Sequence, residues 1–459
     1  MDRNARSHHR QTRSRVQSRA CRAQAVDYFN ILTSPGLLGI TEAYLPEHRE
    51  RLYPPTVTLS MFMRQALEED ASCQKAVNGW AAQRAADGLR PMSVRTGGYC
   101  RARQRLPLTM VRELARETGR QLHEQAEPAW KWRGRPVKLV DGTGISMPDT
   151  TPSNQARFPQ SSAQAEGVGF PLAYLVAVIC LASGAVLESA VGTYAGKGSG
   201  ELTAFRMLQG TFRKGDVIVA DALYCHYFLM ASMIAAGVDV VMEQHGARRT
   251  DFRRGRSLGT RDHIVTWPKP RQRPDWMTHE QYQAFPDELM VRESRLHHRV
   301  LVTTMLDARK TSKQDLSQLY ARRWNVELDL RNIKTTMGMD VLHCQTAHMN
   351  EKEIWVHLLA YNVIRLLMAQ AASHHATDPR TLSFKHTVQL WTEWLARGLT
   401  ATHNQSLLFN LITQSCVGSR PGRIEPRMRK RRPKSYPWLK EPRHIARERV
   451  QKYGHAPRA

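Results

Sequence analysis

The chain has 459 residues and carries 67 Lys plus Arg against 41 Asp plus Glu, a formal net charge of +26. That length exceeds one ordinary core and fits roughly two to four domains, and that surplus of positive charge points to a large polyanion, nucleic acid first, rather than to a membrane surface. Seven scattered cysteines, none in a C-x2-C pair, exclude a disulfide framework and a zinc knuckle and fit a reducing cytoplasm.

Residues 1–24 hold seven arginines and two histidines with little apolar matter, so they read as a disordered basic arm and lack the apolar stretch of a secretory signal. Over 25–130 the pattern turns helical: LSMFMRQALEED and LTMVRELARETGRQL have apolar residues three and four apart, joined by the basic SVRTGGYCRARQRLP. This suits a helical DNA-binding region, and equally a plain helical cap on the next domain. At Val137 the pattern changes. VKLVDG is a short apolar strand ending in an acid, the run from Phe170 to Ala182 opens a hairpin, ELTAFRMLQGTF is helical, and GDVIVAD is a second apolar strand ending in an acid. HYFLMASMIAAG and VDVVMEQ add a helix and a strand. Residues 131–245 thus read as the first part of an α/β core, a mixed sheet with flanking helices whose candidate acids end buried strands.

Residues 246–310 turn basic, Pro-rich and strand-like, an all-β insertion, and the core resumes over 311–400 with helices. There KEIWVHLLAYNVIRLLMAQAA is almost continuously apolar and predicts a buried helix. The region 401–459 closes the chain, and from Ser419 onward fourteen Lys and Arg face three acids in a basic tail. The 170–182 run is too short to span a bilayer, so no membrane partner is expected.

The chemistry concentrates in LYARRWNVELDLRNIKTTMG. On a helix, Tyr320, Arg323, Glu327 and Lys334 would fall within roughly 60° of one another, a face suited to a metal ion and a phosphodiester. Divalent cations of the magnesium kind take hard oxygen ligands, and the candidates are Asp141, Asp221 and Glu327. Asp149 could stand in for Asp141, although its place beside a proline reads as a turn. Tyr320 could serve instead as a covalent nucleophile, which would leave the strand-end acids without a role.

The spacing Tyr320-x2-Arg323-x3-Glu327-x6-Lys334, preceded in order by Asp141 and Asp221, resembles the Y-R-E-K signature of DDE transposases of the bacterial insertion-sequence class, the IS-four family. DGTGISMPDTTPSNQARFPQ, Gly169-Phe170-Pro171, GDVIVAD and KTTMGMD extend the likeness over roughly residues 50–440. The resemblance implies an RNase H-like catalytic core interrupted by the β-rich insertion, with Asp141, Asp221 and Glu327 as ligands of two Mg2+ ions for which Mn2+ can substitute. It also implies that Tyr320, Arg323 and Lys334 hold DNA phosphates, and that a homodimer brings together the terminal inverted repeats of an element and its target DNA in the cytoplasm, at the nucleoid. One departure is Ala222, where the family leads one to expect arginine or a similar polar residue. A catalytically inactive DNA-binding relative and a general RNase H-like nuclease are the alternatives.

Secondary candidates follow from composition. Trp267 and Trp276 could stack on a base or simply pack, and Arg248, Arg249, Arg253, Arg254 and Arg256 could follow a DNA backbone or line a solvated loop. The nineteen histidines show no metal-ligand spacing, and Lys352, His357 and Arg365 in the apolar helix have no expected function.

Overall fold

The computed structural model describes residues 43–45, 52–196, 199–397, 405–418 and 438–455, so the basic arm at 1–24 and most of the C-terminal tail lie outside the described residues. Four helices come first: α1 (Pro55–Leu67), α2 (Cys73–Ala86), α3 (Gly97–Arg105) and α4 (Leu108–Glu124). Then follow β1 (Val137–Ser146), α5 (Pro152–Arg157), β2 (Leu172–Cys180), β3 (Val186–Thr193), α6 (Glu201–Arg206), β4 (Val217–Ala220), α7 (Tyr227–Ala235) and β5 (Asp239–Glu243). The third stretch holds β6 (Arg256–Gly259), β7 (Asp262–Pro268), α8 (His279–Ala284), β8 (Glu288–Leu296) and β9 (Arg299–Thr303). Last come α9 (Lys313–Ala321), α10 (Trp324–Arg331), α11 (Ala347–His374), α12 (Phe384–Ala396), α13 (Gln405–Thr413) and α14 (Arg443–Tyr453).

The strands form one nine-stranded sheet in the order β3-β2-β1-β4-β5-β9-β8-β7-β6. β1 and β5 flank β4 in parallel, and the other pairings are antiparallel. Alternation along the strands feeds two cores. Leu139, Leu175, Ala177, Val217, Val219 and Val241 face one core, while Val140, Val176, Val178, Ile218, Val240 and Met242 face the other. A strand buried on both faces must be apolar throughout, which is why VIVA reads as an unbroken run.

The insertion differs from the expectation in two ways. It contains a helix, α8, whose Thr278 and Gln281 form a reciprocal capping pair, and its four strands prolong the main sheet through the β5 to β9 pairing. The basic and Pro-rich composition hid both the short helix and the register.

α11 is the one helix among the described residues long and apolar enough to cross a bilayer, and protein buries it. Its polar residues tie the layers together. Asn362 donates to the carbonyls of Ala115 on α4 and Val186 on β3, and accepts from the Val186 N–H at 2.8 Å. Lys352 donates to the carbonyls of Arg103 and Gln104 at 3.0 Å each, filling orphan acceptors at the end of α3. The Arg365 guanidinium meets Asp329 of α10, and Arg380 grips the same carboxylate at 2.9 and 3.0 Å.

α4 crosses β3 so closely that a Cβ on Gly119 would lie 2.1 Å from the Val186 carbonyl oxygen. A backbone oxygen cannot swing aside as a side chain can. The overpacking in Gly119→Ala should cost about 3 kcal/mol, against a gain of about 1 kcal/mol in helix propensity, so the urea midpoint should fall; an unchanged midpoint would mean the two elements slide apart freely.

Candidate active site

β1 and β4 run parallel, and their last paired residues are Leu139 and Val219. Asp141 and Asp221 each stand two residues beyond that couple, so the two carboxylates emerge from neighbouring strands at one edge of the sheet. This is the C-terminal edge of the parallel strands, where α/β sheets hold ligands. Asp141 does not end its own strand: β1 continues to Ser146 against β2, and only its parallel neighbour stops.

The carboxylates are held locally. Asp141 Oδ1 accepts from the Gly142 N–H at 2.9 Å, and Asp221 Oδ1 accepts from the Leu223 N–H at 2.8 Å, capping the short turn of helix Ala222–Tyr224. Glu327 arrives on α10, which packs on β1. The Arg323 guanidinium joins it to Asp141, lying 2.5 Å from Glu327 Oε1 and 3.9 Å from Asp141 Oδ2. All three acids singled out in the sequence therefore lie at one end of the sheet.

The single helical face does not survive intact. α9 ends at Ala321, a turn through Arg322 and Arg323 follows, and α10 begins at Trp324. Lys334 lies beyond α10 in a wider π-helical turn, Asn332–Thr336. Tyr320, in the last turn of α9, donates to Glu243 Oε2 at 3.2 Å, at the end of β5. Burial, with Glu243 nearby, raises the phenol above its ordinary range, so it stays neutral at physiological pH. No hydrogen bond or ion pair fixes the Lys334 side chain among the described residues.

Two further groups lie near these residues, one in space and one in the chain. Glu201, the first residue of α6, accepts from the Tyr224 hydroxyl at 2.5 Å. Burial first, then the charge of Asp221, raises the Glu201 carboxyl above the usual range. Trp324, between Arg323 and Glu327 in the chain, is 56% exposed. Sequence reasoning missed both, since an acid in a helix's first turn and a tryptophan in a helix are ordinary features.

Burial, with the charges of Glu201 and Asp221 nearby, pushes the Asp141 carboxyl up to about 7, against the pull of Gly142 N–H and Arg323. A carboxyl whose folded pKa exceeds its unfolded value binds its proton more tightly in the folded chain, so its contribution to stability is present at low pH and lost as pH rises. In EDTA, wild-type stability relative to Asp141→Asn should therefore fall between about pH 4 and about pH 7. A difference that stays constant over that range would show that Asp141 titrates as an ordinary carboxylate.

As placed, no three His, Cys, Asp or Glu side chains among the described residues stand close enough to hold one ion. Asp149 lies exposed in the turn after β1. Of its two readings, stacking or packing, Trp267 takes the packing one: it is 2% exposed, its Nε1 donates to Glu293 at 2.8 Å, and the Arg248 guanidinium covers its ring at 3.6 Å. Trp276 is 47% exposed, with Arg206 over its ring at 4.4 Å. Of the arginine run, Arg253 and Arg254 pair with Asp251, while Arg249 and Arg256 are exposed.

Comparison with known proteins gives a consistent picture. A transposase DDE domain matches residues 132–363, just over half of the chain. The transposase InsG for insertion sequence element IS4 of Escherichia coli (strain K12) is 28% identical over 403 residues, covering 85% of this chain and 88% of that protein. Among solved structures, the piggyBac transposase synaptic complex with hairpin DNA aligns over 87% of each chain at 10% identity, with a TM-score of 0.43. The domain match begins just before β1 and ends inside α11, spanning both strand acids and Glu327: the chain belongs to the transposase DDE domain family and is an enzyme of DNA transposition.

Proposed function

We propose that this transposase moves an insertion sequence by cut and paste, cleaving DNA at paired terminal inverted repeats and joining the freed 3′ ends to target DNA. The observation that carries the reading is the convergence of Asp141 and Asp221 from adjacent parallel strands with Glu327, linked through Arg323. The order β3-β2-β1-β4-β5, with apolar cores on both faces, supports an RNase H-like core prolonged by the inserted strands.

The donor set fits a hard divalent cation in kind, being all carboxylate, and the Asp141 carboxyl is raised by its burial first and then by the neighbouring charges of Glu201 and Asp221. Asp141, Asp221 and Glu327 would hold Mg2+, two ions in the complete complex, with Mn2+ able to substitute. Bound there, the cations supply Lewis-acid polarisation of the phosphodiester and activation of the attacking water or 3′-hydroxyl. Arg323 pairs with Glu327 and faces Asp141 in the free protein, and its guanidinium is the group best suited to pass to a phosphate once DNA enters. Tyr320 is neutral, and its hydroxyl would donate to a phosphate on leaving Glu243, while Lys334 would contribute a point charge.

DNA contacts would extend beyond this edge. The α1–α4 region, exposed Arg249 and Arg256, and the basic termini supply phosphate contacts, and Trp276 remains the candidate for stacking on a base. A homodimer would bring the two element ends together, in a cytoplasmic, nucleoid-bound complex. In a cleavage assay with Mg2+, substrates carrying the cognate repeat should be cut far faster than scrambled ends. Binding should also weaken steeply with salt, since each neutralised phosphate adds about one unit to the log–log slope. Equal cutting of both substrates would identify a general nuclease instead.

A further inference from the structure

We infer that Glu201 is a fourth carboxylate of the active site, a positioning residue whose fixed charge strengthens the hold of Asp141 and Asp221 on a divalent cation. The inference rests on the reading of those two acids as cation ligands. Nothing in the sequence motif includes Glu201, which comes from the helix between the two acid-bearing strands.

Two contacts fix it. The Tyr224 hydroxyl, three residues after Asp221, donates to Glu201 Oε1 at 2.5 Å. On the other side the carboxyl packs on Gly142: a Cβ there would lie 2.6 Å from both the Glu201 carboxyl carbon and Oε1. Gly142 is also the residue whose N–H, 2.9 Å away, orients Asp141 Oδ1. Glu201 thus lies between the chain segments that carry Asp141 and Asp221, in space that a side chain at 142 would take from it. A carboxylate buried this way costs free energy unless something compensates its charge. Tyr224 gives a neutral hydrogen bond, and the Arg323 guanidinium at this edge is already shared by Asp141 and Glu327. A divalent cation on Asp141 and Asp221 supplies the missing counter-charge, and Glu201 in return raises its affinity without having to be a ligand.

The test is Mn2+ titration of the full-length protein by calorimetry, with thermal unfolding in EDTA as the fold control. Glu201→Gln keeps the shape and the Tyr224 contact but removes the charge, and should lower Mn2+ affinity by about tenfold, the scale of groups just outside a metal's ligand shell. Glu201→Asp should recover part of that loss, since it restores the charge. A merely structural role would move the unfolding midpoint and leave the isotherm alone. Should Glu201→Gln fail to fold, Tyr224→Phe releases the carboxylate from its fixed position and should weaken Mn2+ binding severalfold. An isotherm unchanged by Glu201→Gln, or by Tyr224→Phe in its place, while Asp221→Asn weakens binding, overturns the inference alone. If Asp221→Asn also leaves the isotherm unchanged, the cation-site reading falls with it.

Discussion

Glu327→Gln should lower strand cleavage about a thousandfold while DNA binding in EDTA stays within twofold of wild type. The substitution preserves shape and helix, since Glu327 sits on the first turn of α10 with its side chain one third exposed. What it removes is the negative charge that a hard cation requires and that Arg323 balances in the free protein. Losing a ligand of this kind costs several kcal/mol of transition-state stabilisation, and about 4 kcal/mol corresponds to about a thousandfold in rate. Single-turnover cleavage of end DNA measures the first effect and a gel shift the second. Cleavage within tenfold of wild type would remove Glu327 from the chemistry.

The second large effect lies two residues further on, on the opposite side of the same helix. Asp329 is 1% exposed and receives two guanidinium groups, Arg365 from α11 and Arg380 from the loop before α12. Burial disfavours the Arg380 cation, and the Asp329 charge more than reverses this. Asp329→Ala leaves two arginines buried without their anion, and breaking a buried pair from one side costs about 3–5 kcal/mol. Urea denaturation should show a loss of that size, with a parallel loss of cleavage because α10 is no longer pinned against α11. A loss below about 1 kcal/mol would mean that water or a rearranged acid takes over the arginines. Replacing all three residues by apolar ones of similar volume should be far milder than the single change, because no charge is stranded.

Much of this arrangement was legible in the sequence because its signals are local. Short apolar runs marked β1, β2, β4 and β5, and the longer apolar run around Trp355 and Tyr361 marked α11, since a helix enclosed on all sides has no polar face to keep. The three acids and Arg323 follow from spacing and order. What stayed hidden is set by partners distant in the chain. Asp141 sits inside its strand rather than at the end, because where β4 stops cannot be read from β1. The break at Arg322 and Arg323 has no glycine or proline to announce it; there the Arg322 N–H bonds to Leu319 in a tighter turn. Arg365, dismissed in the sequence as a polar interruption, is explained only by an acid 36 positions earlier. Trp267 reads like Trp276, and a buried Glu293 on the neighbouring strand separates them.

The most direct measurement of the central claim is cleavage of a labelled DNA end carrying the cognate inverted repeat, with Mg2+ and with EDTA, followed by analysis of the products. Cutting is expected only with the divalent cation, leaving free 3′-hydroxyl and 5′-phosphate ends and no protein bound covalently to DNA. Cutting that persists in EDTA and leaves a covalent adduct through Tyr320 would contradict it, making the tyrosine the nucleophile and the three acids bystanders.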